Sequence, residues 1–422
     1  MEMPLRGEVV LNGGDSSLLE ALQEEDDFTI RRAVERLREG LFDPVAVRLL
    51  TAHEEWLRDE SERGFRAVDA GKSPHLCIVG AYGQGKSHSL AYIQDLALRE
   101  GFATSLINLD PREVPFRQFR EVYRELIAHL KLPDGNGSFP ARWSQWAQER
   151  MRVRGDLSGS LMDLLPDRMP HLFKSILVAM ANGCFFLPHG VEQAFQPAIL
   201  PREFPMLLTR ALHGETISAY RLRNIFKHLQ VPFIKERSLS CRGIEPYFDM
   251  TQALSCLFRQ MGYRGWVLLF DEGESIAQAS VVARSKGYGL LHRLFAPDVS
   301  EPAFLYPVFA FTDDFFERVR QEDYEEVKVR RGVEMPYFDR DYAKEWQDLN
   351  LYRLHDFSGE EWVELSRKLV TLHARAYRWR PPQDRLAQEM ADRLDAKRTQ
   401  ETRLKLKALV DCLDVAHQEQ VL

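Results

Sequence analysis

Cysteine is scarce in this chain and poorly placed for joint work. The five cysteines, at positions 77, 184, 241, 256 and 412, are scattered and odd in number, and none forms a Cys-x-x-Cys pair. Neither a disulfide framework nor a cysteine zinc site is indicated. Long apolar runs are missing too: the longest, 176–187, is broken by Asn182-Gly183 and is too short to span a bilayer. The start, Met1-Glu2-Met3-Pro4, has no cationic segment followed by an apolar one, so no secretion signal is expected and the cytoplasm is the simplest compartment. Positive charge is not in excess. With 56 Lys and Arg against 63 Asp and Glu, the net charge is −7, so any nucleic-acid site must be a local patch within an acidic whole. What is present is core material: 45% of the 422 residues are hydrophobic and 11% aromatic, enough for two or three globular domains.

The stretch IVGAYGQGKSHSL, residues 78–90, carries the sharpest chemistry. Gly80, four residues, then Gly85-Lys86-Ser87 is the full phosphate-loop pattern. Glycines let the backbone turn with positive φ and approach an anion, so that successive N–H groups and a helix start point at phosphates. Residues Gly80, Ala81, Tyr82, Gly83, Gln84, Gly85, Lys86, Ser87 and His88 are therefore the expected nucleotide contacts. Lys86 supplies the charge for the β- and γ-phosphates and the Ser87 hydroxyl a ligand for Mg²⁺. The flanks agree, with an apolar strand at 75–79 and a helix from Ser87 to Glu100 stopped by Gly101.

Residues 1–27, glycine-rich and then acidic, read as a mobile lead. A helix is expected from Thr29 to Arg38, and Asp43-Pro44 signals a second, long one reaching about Ala70. A second strand is expected over 102–109, closing a strand–helix–strand unit. From about 115 to 255 the periodicity is mostly helical, in a place where a compact nucleotide-binding domain needs far fewer residues. The strand pattern returns at Trp266-Val267-Leu268-Leu269-Phe270 and runs into Asp271-Glu272. There Asp271 is expected to hold Mg²⁺ through water, and Glu272 to orient and polarise the attacking water. A further strand, 304–311, ends at Thr312, a position for sensing a γ-phosphate or for capping the helix that begins at Asp313.

Together, the segments TIRRAVERLREGLFDPVAV, GAYGQGKSHSL, GYRGWVLLFDEGESIAQAS and FAFTDDFFERV resemble the ATP-binding proteins of bacterial BREX phage-defence systems, the family that includes BrxD and the N-terminal region of BrxC. The likeness runs from about residue 28 to 420. It implies an AAA+-like core, ATP with Mg²⁺, a homo-oligomer, and other defence-system proteins as DNA-directed partners. Glu274 matches a further acidic position of the family; Gln84, His88-Ser89 and Asp313-Asp314 depart from its commonest pattern. ATPases of this kind also use arginines: Arg403, near the start of the last helix, is the lid candidate, and Arg330, Arg331 or Arg353 the one lent by a neighbouring subunit.

The fold class expected is thus α/β, an AAA+-like P-loop NTPase core with a mostly parallel sheet, a long helical insertion and a helical C-terminal lid. The boundaries are 28–71 for a helical lead-in, 72–113 and 256–355 for the core, 114–255 for the insertion, and 356–422 for the lid, introduced by the capping box Ser358-Gly359-Glu360-Glu361. The insertion carries two basic clusters. One is Arg210, Arg221, Arg223, Lys227, Lys235, Arg237 and Arg242, with Tyr220, Phe226 and Phe233 interleaved; the other is Arg142, Arg150, Arg152 and Arg154 with Trp143 and Trp146. They are either the wet faces of amphipathic helices or a surface that tracks a DNA backbone, with Arg221, Arg223, Lys227, Lys235 and Arg237 as its contacts. The function expected is ATP hydrolysis within an anti-phage complex; a nucleotide-switched scaffold or a signalling ATPase with slow turnover and no DNA contact fits the same residues.

Overall fold

The computed structural model describes residues 22, 25–41, 43–51, 54–135, 137–154, 161–183, 202–232, 239, 241–297, 303–330, 333–395 and 402–421. In chain order they form α1 (Asp27–Arg38), α2 (Pro44–Leu50), α3 (Glu54–Asp69), β1 (Leu76–Val79), α4 (Lys86–Arg99), β2 (Ala103–Asn108), α5 (Phe119–Ala128), β3 (Leu130–Lys131), α6 (Phe139–Arg154), α7 (His171–Gly183), α8 (Glu203–Leu212), α9 (Ala219–His228), α10 (Glu245–Gln260), β4 (Trp266–Asp271), α11 (Val281–Phe295), β5 (Leu305–Phe311), α12 (Asp313–Arg320), β6 (Val327–Arg330), β7 (Val333–Pro336), α13 (Tyr342–Glu345), β8 (Leu351–Arg353), α14 (Gly359–Tyr377), α15 (Gln383–Asp395) and α16 (Thr402–Val421). The lead 1–21 and Cys184 lie outside the described residues.

Local chemistry explains where several helices start. Asp26 accepts from Thr29 N at 2.7 Å, Asp43 accepts from Val45 N at 3.0 Å ahead of Pro44, and Ser358 and Glu361 form the expected reciprocal capping box. Each satisfies main-chain N–H groups that the first helical turn leaves over. The single long helix expected from Asp43 to about Ala70 is, instead, α2 and α3. Thr51 ends α2 in an extended conformation, its hydroxyl donating to Val47 O at 2.5 Å. A β-branched residue that satisfies a carbonyl of the last turn with its own side chain competes with continuation of the helix.

The chain divides into two compact units, one of residues 58–79 and 96–353, the other built from the described parts of 1–57, 80–95 and 354–422. The first is a mixed α/β unit around a six-stranded sheet of order β3-β2-β4-β5-β1-β8. All neighbours pair in parallel except β3, an antiparallel edge strand on β2. β1 and β5 are buried at every position, the continuous apolar run that a covered parallel sheet demands. Phe270 and Phe309 stack at 4.3 Å and Phe311 and Phe315 at 4.2 Å. The helices α5 to α10 are not an appendage: Phe173, Ile176, Leu208 and Ile225 share one core with Phe270 and Phe309. Among the described residues, no helix is long and apolar enough to cross a membrane.

The second unit has its own core, in which Ile30, Val34 and Leu50 meet Trp362, Leu369, Val370, Met390, Val410 and Leu413. A polar network closes it. Arg38 donates to both oxygens of Asp414 at 2.8 Å and to Tyr377 Oη at 3.0 Å, and Tyr377 donates to Glu35 at 2.6 Å. Trp379 Nε1 donates to Nδ1 of the buried His373 at 2.9 Å. The imidazole proton is therefore on Nε2, 3.1 Å from Asp414 Oδ1, and burial pushes this histidine down, keeping it neutral. Burial by itself raises the Asp414 carboxyl, but the bonds from Arg38 and His373 outweigh it and hold the group below its ordinary range. A depressed carboxylate stabilises the fold above its unfolded value of about 4 and loses that contribution as pH falls. Asp414→Asn is expected to lower stability in urea at pH 7 by about 1–2 kcal/mol. The difference should narrow as pH falls below about 4 and close once the folded carboxyl is protonated as well; a gap that persists in that acid limit would assign the loss to packing.

Candidate functional site

β1 ends at Val79, and the chain passes directly into the loop that α4 follows. Gly83 and Gly85 have φ of 81° and 97°, left-handed values natural only to glycine. Gly80 is glycine for a different reason: a Cβ there would stand 2.9 Å from Gln84 Oε1 and 3.1 Å from Leu354 Cβ. Lys86, only 7% exposed, donates from Nζ to Gly80 O at 3.0 Å and Ala81 O at 3.1 Å. The loop's own carbonyls thus hold the ammonium while the first N–H groups of α4, which have no acceptor within the helix, carry the positive end of its dipole. Gln84 Oε1 accepts from Ala81 N at 2.6 Å and Gln84 Nε2 donates to Asp356 at 2.9 Å. Ser87 is half-buried and Tyr82 is 79% exposed. His88 turns its ring to Thr51 Oγ1 at 2.9 Å. Because the Thr51 proton goes to Val47 O, His88 Nε2 is the donor, and burial pushes this imidazole down to about 4, so it braces α2 against α4 as a neutral group.

In the sheet unit, the carboxyl ends of the parallel strands share one edge. Asn108 is the register partner of Asp271, Val79 that of Phe311 on one side and of Arg353 on the other. β5, with Thr312 at its end, lies between β1 and β4. The acidic turn that follows β4 is strained and tightly seated. Asp271 Oδ1 accepts from Glu272 N at 3.0 Å, and Glu272 is left-handed, with φ 57° and ψ 38°, unusual for a residue with a Cβ. Gly273 lets the turn lie against β5: a Cβ there would be 2.6 Å from the Phe311 ring and 2.8 Å from Ala310 O. Thr312 occupies the N-cap position of α12, yet its side chain makes no capping bond, so the hydroxyl is not committed to the helix. Arg284 fixes α11 to the turn after α12, donating to both oxygens of the buried Glu322 at 2.6 and 2.9 Å.

Asn108 escaped the sequence reading. An asparagine at a strand end carries no pattern, and only the register puts it beside Asp271. The short β3, β6, β7 and β8 escaped as well, since two to four residues hold no readable period. Glu274 follows in the half-turn Gly273–Ile276 and is half-buried. Arg353 is exposed and paired with Asp313 at the sheet edge. Arg330 ends β6 and Arg403 stands in the first turn of α16, but both side chains, and Arg331 entirely, lie outside the described residues.

In the first basic cluster, α9 is amphipathic: Leu222, Ile225 and Phe226 are buried, while Arg221, Arg223 and Lys227 are exposed. Tyr220 is 82% exposed. Arg210 pairs with Glu215 at 2.6 Å; Phe233, Lys235 and Arg237 lie outside the described residues. The second cluster is tied to the core, with Trp143 donating to Leu177 O at 2.7 Å, Arg142 paired with Asp134 and Arg150 over the Trp146 ring. Among the described residues, no group of three or more His, Cys, Asp or Glu is placed to hold a metal ion.

Over residues 30–149 and 244–422 the sequence matches the family described as BREX system ATP-binding protein BrxC/D. The match covers most of the chain, which therefore belongs to this family of ATP-binding proteins. No curated protein matches it. Between the two matched parts, residues 150–243 contain α7, α8 and α9.

The strain at Glu272 gives a test that needs no ligand. Glycine relieves a left-handed position and alanine does not, so Glu272→Gly should be more stable than Glu272→Ala by about 1 kcal/mol. Gly273→Ala, forced against Phe311, should lose about 1–3 kcal/mol. Equal urea midpoints for the two Glu272 variants would show that the turn relaxes in solution.

Proposed function

We propose that this member of the BREX ATP-binding BrxC/D family binds ATP with Mg²⁺ at Gly80–His88 and hydrolyses it, as an AAA+-like ATPase assembled from copies of itself in a DNA-directed defence complex. The observation that carries the reading is the sheet edge, where Asn108, Asp271, Thr312 and Arg353 end parallel strands around the one that leads into the loop. Open parallel sheets bind ligands at the carboxyl ends of their strands.

In this reading the N–H groups of the loop and of the start of α4 hold the phosphates, and Lys86 turns its ammonium to the β- and γ-oxygens. Ser87 through its hydroxyl and Asp271 through water would hold Mg²⁺, an ion suited to hard oxygen groups; a bound ion would neutralise charge on the transferring phosphoryl group. Glu272 takes the proton of the attacking water, whose oxygen bonds to the γ-phosphorus as the bond to the β-bridging oxygen breaks, giving ADP and phosphate. Its left-handed backbone fits a role in which a carboxylate must be aimed. Thr312 donates to the γ-phosphate, and Arg403 reaches the nucleotide from the helical lid. Arg353 is engaged with Asp313, so Arg330 and Arg331 are the arginines proposed for the neighbouring subunit's site. Phosphate contacts with DNA are assigned to Arg221, Arg223, Lys227, Lys235 and Arg237.

Lys86→Ala should weaken ATP binding by about 10- to 100-fold in a folded protein. Glu272→Gln should bind ATP within a few fold of normal while turnover falls by about 100-fold or more. Calorimetric titration and steady-state phosphate release measure the two; wild-type affinity in the first variant, or unchanged turnover in the second, would remove the corresponding role. Changing Arg221, Arg223 and Lys227 together to glutamate should lower the slope of log affinity for DNA against log salt by about 2–3. An unchanged slope in fluorescence anisotropy would assign any DNA contact to another surface.

A further inference from the structure

The segment between β8 and α14 makes two separate contacts with the loop 80–86. Leu354 packs over Gly80, where a Cβ would stand 3.1 Å from its Cβ and crowd it, and Asp356 accepts a hydrogen bond from Gln84 Nε2 at 2.9 Å. Gln84 passes the contact inward, because its carboxamide oxygen accepts from Ala81 N at 2.6 Å. One side chain thus links the loop backbone to a carboxylate two residues ahead of Ser358, which caps α14 in a box with Glu361. α14 contributes Trp362, Leu365, Leu369 and Val370 to the core of its unit.

The side of the loop on which Gln84 sits decides what this link does. Lys86 Nζ is bonded to Gly80 O, so the carbonyl of the Gly80–Ala81 peptide faces the ammonium. The described peptides contain no cis bond, and in a trans peptide the N–H points opposite to the carbonyl. The Ala81 N–H that Gln84 takes therefore faces away from the lysine, and so away from the anion the lysine serves. Gln84 does not compete for that anion; it braces the loop from behind.

We propose that Leu354, Asp356 and Gln84 form a brace that holds the phosphate loop in its binding shape and couples ATP occupancy to the ordering of the start of α14. The proposal rests on the ATP-binding reading and adds a positioning role for side chains that touch no phosphate. A brace that pre-shapes the loop reduces the ordering that binding requires. By thermodynamic reciprocity, ATP must then order the brace as much as the brace favours ATP.

The test measures ATP affinity together with amide exchange at 354–361, with and without Mg-ATP, using the full chain. Asp356→Ala and Gln84→Glu should each weaken ATP by about three- to tenfold, the equivalent of one hydrogen bond, and should remove the ATP-dependent slowing of exchange. In Asp356→Asn the amide oxygen still accepts from Gln84, so affinity should stay within about twofold of normal. The double variant Gln84→Glu/Asp356→Asn reverses donor and acceptor and should recover most of the affinity that Gln84→Glu loses. Recovery in the double variant separates a specific link from a general loss of fold. The brace is overturned if Asp356→Ala binds ATP normally with slowed exchange intact, or if the double variant binds no better than Gln84→Glu. Absence of ATP binding by the unchanged chain overturns the ATP-binding reading, and the coupling with it; that outcome is distinct, because no variant would then differ from the parent.

Discussion

Parallel strand pairing is the constraint on which the sheet unit depends. Strands that run the same way must present their carboxyl ends at one edge, and with β4, β5, β1 and β8 consecutive in the sheet, whatever follows each strand meets there. β1, β4 and β5 are nearly all apolar and buried, so polar residues come only where these strands end. Asp271 closes β4, Thr312 follows β5 and Arg353 closes the more open β8, and Asn108 joins them through its register with Asp271. Burial of strand interiors thus decides where the chemistry can be, before any residue is chosen for its reactivity.

Close approach is the second organising feature, and glycine enables it in two ways. Gly83 and Gly85 supply backbone angles; Gly80 and Gly273 supply room, the first beneath Leu354 and the second against Phe311. Next to Gly273 in the chain, Glu272 takes a left-handed conformation despite its side chain. A glycine there would relieve about 1 kcal/mol. Strain of this kind persists where the surroundings over-determine it, here the Asp271 carboxylate on Glu272 N and the contact of Gly273 with β5.

The two compact units hold their polar groups differently. In the sheet unit the Arg284–Glu322 pair ties α11 to the turn that follows α12, so elements that flank the sheet edge are fixed to one another. In the other unit Arg38, Asp414 and His373 join α1, α14 and α16, and the loop is attached to the start of α14 through Gln84. The described helices from α5 to α10 pack their apolar faces into the core of the sheet unit, and α9 turns Arg221, Arg223 and Lys227 outward.

The features legible in the sequence were local ones. The glycine spacing of 80–85, the caps at Asp43 and Ser358, the apolar runs of β1, β4 and β5 and the acids after β4 were all readable, because each is a demand that a few consecutive residues place on their own backbone or burial; the cap at Asp26, which starts α1 two residues before the expected Thr29, was not. Tertiary structure decided the rest: that β5 lies between β1 and β4, that Asn108 stands beside Asp271 and Arg353 beside Val79, that Thr312 leaves its hydroxyl uncommitted, and that Gln84 reaches an aspartate at position 356. The helix expected past Thr51 failed for the same reason, since a hydroxyl shared between Val47 and His88 is invisible in the local pattern. Strand order and register are settled by which apolar faces fit across separations of tens to hundreds of residues. Loop-closure entropy grows only slowly with such separations, so the intervening sequence carries almost no record of the choice.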